Sequence, residues 1–429
     1  MSSSLRNVLR LPAVSRFFAG GLLSVAGDWM LLTALPFHVL VLTGSTAATG
    51  AMFVAFALPR VLFSLIGGWL TDRFDRRLLM IVCDVSRAVL LLPLLLVTSG
   101  DQLWLVLTVT VVQSTVGQVF MPARNAALPA LVPKDLRVTA NSMDALVMGV
   151  TRLLGPVAGG ALLAGLGIRA VVLIDAATFL LSALLIASIR IPRPTSRGGS
   201  VRPGRLLADL SAGLRLCWVR PGPRAVLATS AIVMVGYGLT TALGVVFVRV
   251  VLGGTAADFG WMMAAQGVGL TVGGLVVSRA GRRISYRWLF AGGLLVTGLS
   301  FLAMFESRHL APVFTFAVVS GIGLASWMVG ERTLLQRGIP SESLGVAFGA
   351  YNTLNSVLAL CGTALAGVLA PAIGIRYALI AAAAAYLLPG LLVAGRLLLP
   401  ARPDRRRPPA VRPAPGAVRP APAAPKRAA

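Results

Sequence analysis

The sequence predicts an all-α membrane protein of twelve transmembrane helices arranged as two six-helix pseudo-repeats. Three observations carry that prediction. Of 429 residues, 57% are hydrophobic and 12% charged, with a mean hydropathy of +0.85, a balance outside the range of soluble domains. A bilayer span needs about 20 predominantly apolar residues, and twelve such runs fall near residues 17–41, 46–70, 78–98, 103–123, 141–166, 170–189, 225–252, 259–278, 288–305, 310–329, 345–370 and 376–399. The third observation is a duplication. The basic turn Gly67-Gly68-Trp69-Leu70-Thr71-Asp72-Arg73-Phe74-Asp75-Arg76-Arg77 recurs 206 positions later as Gly273-Gly274-Leu275-Val276-Val277-Ser278-Arg279-Ala280-Gly281-Arg282-Arg283, each copy between long apolar runs. Such a recurrence marks two homologous membrane halves.

The chain opens on a basic segment, Met1 to Arg16, followed by an apolar run of 25 residues. That run exceeds the apolar region of a secretory leader, about 7–15 residues, and reads as a retained first span. The first half takes residues 1–189. Within it, Ala140-Asn141-Ser142-Met143-Asp144 opens the fifth span as Tyr351-Asn352-Thr353-Leu354-Asn355 opens the eleventh. Gly167-Ile168-Arg169 precedes the sixth span as Gly374-Ile375-Arg376, 207 positions on, precedes the twelfth. Residues 190–224 form a basic cytoplasmic linker with eight arginines against one acid, Asp209. Its Leu206, Leu207, Leu210, Leu214 and Cys217 fall at helical spacing, which predicts an amphipathic helix on the inner membrane face. The second half takes residues 225–399. Residues 400–429, nearly all Pro, Ala and Arg, predict a disordered cytoplasmic tail.

Charge sets the orientation. Of 39 Lys and Arg residues, Arg169, Arg249, Arg308 and Arg376 lie at one set of span ends, Arg60 and Arg152 lie inside spans, and the other 33 lie in or beside the termini and the alternate loops. This positive-inside asymmetry puts both termini in the cytoplasm. The net charge of +25 therefore speaks for a bilayer with anionic headgroups and against nucleic acid as a partner. Arg outnumbers Lys by 37 to 2, a bias of high-GC bacterial genomes, so the expected location is a bacterial inner (plasma) membrane. Cys83, Cys217 and Cys361 have neither disulfide nor metal-site spacing. The Gly321-Ile322-Gly323 stretch sits inside an apolar span, and no phosphate-binding loop occurs. No cofactor and no enzymatic activity are expected, and energy has to come from an ion gradient.

Ionisable residues inside spans point to the working site. Asp28 falls near the midplane of the first span, where a charge costs about 2.5–3.5 kcal/mol. It either exchanges a proton as it faces alternate sides, or it is held in an ion pair with Arg60 or Arg152. On the fifth span Asp144, Met148 and Arg152 share one face with Asn141 beside them, a polar stripe expected to line a central cavity. Arg152 there suits an anionic substrate group. Gln113 joins these as a polar residue of the fourth span. Asp84 and Arg87 read as a local pair one helical turn apart, and Asp175 as an interfacial residue near the outer end of the sixth span. The second half reads as nearly bare of buried charge. It offers Tyr237, Thr240, Thr241, Gln266, Trp327, Asn352 and Asn355, an apolar and aromatic wall suited to bulky amphipathic substrates.

The turn from Gly68 to Arg77 resembles motif A of the major facilitator superfamily, G-x-x-x-D-R-x-G-R-R, with Asp75 where the family has glycine and Ser278 in place of the acid in the second copy. The resemblance implies that Asp72 latches the outward-facing state, with Arg73, Arg76 and Arg77 as its ionic surroundings. Gly155-Pro156-Val157-Ala158-Gly159-Gly160 resembles the end of the antiporter motif G-P-x-x-G-G, which accompanies export. Gly27-Asp28-Trp29, Ala34-Leu35-Pro36, Pro122-Ala123-Arg124 and Asp175-Ala176 with Phe179 resemble the branch of macrolide-efflux proteins, actinobacterial multidrug exporters and the enterobactin exporter, over roughly residues 5–400. The implied function is proton-coupled efflux of amphipathic small molecules such as antibiotics by a monomer. The alternatives are a dedicated exporter of a siderophore or secondary metabolite, a lipid flippase, or a non-transporting membrane sensor or scaffold.

Overall fold

The computed structural model describes residues 8, 10–192, 206–280 and 283–398. The predicted tail at 400–429, most of the linker before 206, and Gly281 and Arg282 of the second basic turn lie outside the described residues. Among those described, every regular element is helical.

In the first half, α1 spans Pro12–Thr43, α2 Thr46–Arg73, α3 Arg76–Leu91 and α4 Leu103–Leu131. The segment Arg137–Ala187 runs on as one 51-residue helix but turns at Gly167, whose φ of +79° only glycine adopts without strain. At 1.5 Å per residue it is far longer than a bilayer of about 30 Å. It is therefore two crossings, α5 (residues 137–166) and α6 (168–187). Then follow α7 Leu206–Val219, α8 Pro221–Val246, α9 Ala256–Ala280, α10 Tyr286–Glu306, α11 Leu310–Gly338, α12 Leu344–Ile373 and α13 Ile375–Leu398. Eleven segments have the length and apolarity of a membrane span, and the break at Gly167 brings the crossings to twelve. Gly374, φ +90°, separates α12 from α13 at the equivalent place.

Several helices outrun their predicted spans. The apolar runs of the fourth and tenth spans stop at 123 and 329, but α4 continues to Leu131 and α11 to Gly338. A helix does not stop where the apolar stretch stops, because its backbone is satisfied internally in water as in lipid. The third span, Arg76–Leu96, has its expected length, but its helix tightens: α3 gives way to a 3-10 turn at Leu92–Leu96, where Pro93 lacks an N–H for the helical ladder.

Within the first half α1 packs along α5 and α6, α2 on α4, and α3 on α4 and α6; in the second, α8 packs on α12 and α13, and α11 on α9 and α10. The halves meet through α5 against α9 and α2 against α12. The close approaches between them lie toward the end away from the basic turns: Gly160 on Ala256, Gly260 on Pro156, and Gly50 on Gly367. At the basic end α7 fastens to the second half, with Gly213 against Val346 and Ala350, and Arg220 donating to the Gly338 carbonyl at 2.9 Å.

The two cores differ. The second half has one continuous apolar core, which also takes in Phe37, Leu40 and Phe53 of the first half. The first half has two, one around Leu35, Leu91 and Phe179, the other around Phe17, Met80 and Phe120. What separates them is a layer of polar side chains.

Candidate transport site

That layer holds Ser24 and Asp28 of α1, Asp84 and Arg87 of α3, Gln113 of α4, and Asp175 and Ser182 of α6. All but Asp28 are buried. Arg87 Nη2 donates to Asp28 Oδ1 in an ion pair, and the guanidinium lies 4.1 Å above the Phe179 ring. The side chain of Asp28 keeps 41% of its surface exposed against 5% for Arg87, so only the acid can be reached from outside the bundle. Asp28 is therefore not held by Arg60 or Arg152, as the sequence suggested; the helices that carry those two line a different space. Nor are Asp84 and Arg87 a local pair. Arg87 turns to α1, and Asp84 accepts from Ser24 Oγ at 3.1 Å. Asp175 is not interfacial but fully buried, two turns into α6. Its Oδ1 lies where a Cβ on Gly27 would be, at 1.9 Å, so the glycine before Asp28 exists to admit α6. Gln113, expected among substrate residues, is instead buried inside the bundle. It lies one turn from Gly117, whose Cβ position is 4.0 Å from Arg87 Cζ.

The residue after Asp28 faces the other way. Trp29 lines a cavity of about 230 Å³ between the halves. The first half gives it Trp29, Arg60 and Arg152, with the Arg152 guanidinium 5.6 Å from the Trp29 ring. The second half gives it Tyr237, Thr240, Thr241 and Gln266 together with aromatic and methionine side chains. Gln266 Nε2 donates to Ser320 Oγ at 3.3 Å. Arg152 is thus on the cavity wall, but the polar stripe expected along α5 does not continue to it. Asp144 turns away to Arg124 of α4, 2.6 Å between Nη2 and Oδ1, and Asn141 is exposed at the helix start. Asn352 and Asn355 do not line the cavity either.

Asn352 is exposed, and Asn355 belongs to a second cluster that the sequence reading missed. Glu331 on α11 is 9% exposed, and Tyr351 and Ser230 are buried beside it. Ser230 Oγ and Tyr351 Oη are 2.5 Å apart, with the Glu331 and Asn355 side chains close to the phenol. The second half is therefore not bare of buried charge. Glu331 and Tyr351 stand 207 positions after Arg124 and Asp144, so both halves carry a polar bridge between the same two helices near the basic end. Removing Arg124 strands a carboxylate that is 22% exposed. We expect Arg124→Ala to lower stability by about 1–3 kcal/mol and Arg124→Ala with Asp144→Asn to recover most of it, read as thermal midpoints in detergent. Equal losses in single and double variants would refute the bridge.

The basic turn serves first to hold the half together. Asp75 caps α3, accepting from Arg77 N at 2.9 Å. Arg76 donates to the Ala126 carbonyl at 2.9 Å, and Arg77 to the carbonyls of Ile186 and Ala187 at the end of α6, where the helix dipole favours a cation. Arg73 stacks on Trp69 at 4.5 Å. Arg76 and Arg77 are engaged by backbone, and the Asp72 side chain, which these arginines were expected to surround, lies outside the described residues. In Gly155-Pro156-x-x-Gly159-Gly160 each glycine admits a neighbour. A Cβ would lie 2.5 Å from Trp29 Cβ at Gly155, 2.4 Å from the Met30 carbonyl at Gly159 and 2.3 Å from the Ala256 carbonyl at Gly160. One motif seats α1 on one side of α5 and the opposite half on the other.

A family model described as transmembrane secretion effector matches residues 7–415. The chain belongs to this family of the major facilitator superfamily. As a transmembrane secretion effector it is a multi-pass membrane transporter. It is 28% identical to the uncharacterised major facilitator transporter YfiS of Bacillus subtilis, over 86% of this chain and 89% of that one. It is 26% identical to the multidrug efflux pump Tap of Mycolicibacterium fortuitum, over 90% and 96%, and 23% to macrolide efflux protein A of Streptococcus pyogenes, over 84% and 90%. Its fold matches that of an inward-facing, unoccupied bacterial homologue of the human lysosomal transporter Spinster, with a TM-score of 0.69 and 17% identity over 92% of this chain and 98% of that one.

Proposed function

We propose that this transporter exports amphipathic small molecules in exchange for protons, by alternating two arrangements of its halves about the central cavity. The observation that carries the reading is the Asp28–Arg87 pair, one residue from the cavity wall at Trp29. Its layer contains three carboxyls and one guanidinium. Uncompensated buried charge is costly, and a proton is the mobile charge that relieves it. Because Trp29 touches Arg152 and Asp28 touches Arg87, a ligand pressing on one face of α1 is felt on the other. Protonating Asp28 releases Arg87 and changes how α1 sits on α3, while substrate and proton compete for the same helix. That is a differential interaction with two states, which exchange requires.

The basic ends lie in the cytoplasm by the positive-inside asymmetry. With the contacts between halves gathered at the opposite end, this arrangement is inward-open. Asp72, in the last turn of α2, is the carboxylate we assign to latching the outward-facing one. Relatives named for macrolide and multidrug efflux support the direction of transport.

The test is Asp28→Asn in proteoliposomes with an imposed pH gradient. The variant should fold, insert and still bind substrate, and it should lose pH-driven transport. Gradient-driven transport at the wild-type rate removes Asp28 from coupling.

A further inference from the structure

The central cavity has a charge pattern that selects its ligand. Two guanidinium groups, Arg60 and Arg152, line it, and no carboxylate does. Every other arginine inside the first bundle is matched: Arg87 by Asp28, Arg124 by Asp144. Arg60 and Arg152 make no ion pair or hydrogen bond among the described residues, and Arg152 has only the face of Trp29. Both are exposed residues at membrane depth, without the counter-charge that intramembrane arginines normally find. The opposite wall, from the second half, is of another kind. Met262, Phe301, Met304 and Phe305 give it an apolar surface beside the uncharged polar groups of Tyr237, Thr240, Thr241 and Gln266.

We infer that the transported molecule is an anionic amphiphile, with a carboxylate or similar acidic head held by Arg60 and Arg152 and an apolar or aromatic body against the second half. This rests on the exporter reading above and narrows it. A planar acid takes parallel hydrogen bonds from a guanidinium, while methionine thioethers and ring edges adapt to varied bodies. The charged groups that a lipophilic cation meets on the first-half wall are both of its own sign, so the cavity discriminates by repulsion as well as attraction. The head would also weaken the Arg152–Trp29 contact, one residue from Asp28, which puts the acid beside the proposed proton site.

Two dyes with one body and opposite charge test this: dansyl-aminohexanoate, a carboxylate, and dansylcadaverine, an ammonium. With purified protein in detergent, the carboxylate should bind at least tenfold tighter than its twin. Arg60→Gln and Arg152→Gln should each weaken it by about tenfold, the double variant to the level of the twin, and Arg152→Lys, which keeps the charge but loses the planar fork, should fall between wild type and Arg152→Gln. Equal or tighter binding of the ammonium dye overturns the inference. So does a double variant that binds the carboxylate like wild type. A transport arm under a pH gradient separates the two readings. Movement of the ammonium dye alone keeps the exporter and removes the anionic substrate. Binding of the carboxylate without movement keeps the ligand class and removes the exporter, and neither binding nor movement removes both.

Discussion

Arg87→Ala should be the most damaging side-chain truncation in the first half, lowering stability by about 3 kcal/mol. Arg87 is 5% exposed and is the only cation in a layer with Asp28, Asp84 and Asp175. Removing it leaves a space beneath Phe179 and three carboxyls with no counter-charge. Breaking a buried pair costs about 3–5 kcal/mol because the surviving charge has no partner. The lower end applies here, since the Asp28 side chain is only partly buried, with 41% of its surface exposed. The companion variant is Arg87→Ala with Asp28→Asn, which removes the stranded charge and should recover more than half the loss, as coupled neighbours do. Thermal midpoints by fluorescence-detected size exclusion provide the measurement. If Arg87→Ala melts like the wild type, the polar layer is not held by this pair.

The same layer marks where sequence reasoning stopped. Helix number, the duplication and the glycine breaks were legible because they depend on local composition and on an offset that recurs near 207 positions. Pairing was not, because Asp28 and Arg87 are 59 residues apart on different helices, and any of several arginines satisfies charge alone. One signal was available. On α3 the buried positions Met80, Cys83, Asp84, Arg87, Ala88 and Leu91 follow helical spacing, so a single face carries both charges and the apolar residues. A face of that kind points inward, and its arginine is a better partner for Asp28 than one on a lining helix. Arg124 and Glu331 were lost differently. A hydropathy window ends at the first charge, whereas the helices continue past it, and both residues sit in those extensions. Aligning the halves would have set Glu331 on Arg124 and exposed the second cluster.

Gly160→Leu should have the largest effect on transport of any change outside the polar layer. Gly160 lies on α5 where the halves touch, and a Cβ there would stand 2.3 Å from the Ala256 carbonyl and 3.1 Å from Ala257 Cα. Both are backbone atoms of the first turn of α9, so no side chain can swing aside. Even alanine forces the helices apart, and leucine does so by the width of a side chain. Within one half such a wedge would destabilise the fold, as overpacking does, by about 1–3 kcal/mol. Between two halves that separate in the proposed cycle, the strain is relieved by opening the contact between them instead. The variant should therefore keep a near-native melting temperature while its population moves away from the arrangement described here. A reporter is at hand on the other contact between halves. Ala47 Cβ lies 4.0 Å from the position of a Cβ on Gly367, within the range of about 3.5–4.5 Å that a disulfide spans. With Cys83, Cys217 and Cys361 replaced, Ala47→Cys and Gly367→Cys should cross-link readily under mild oxidation and lose transport until reduced. Adding Gly160→Leu should slow that cross-link by tenfold or more and lower transport to a similar extent, with Gly160→Ala between. Cross-linking and transport that survive the leucine would show that α5 and α9 do not need this contact, and that the glycines of the motif serve only to seat α1.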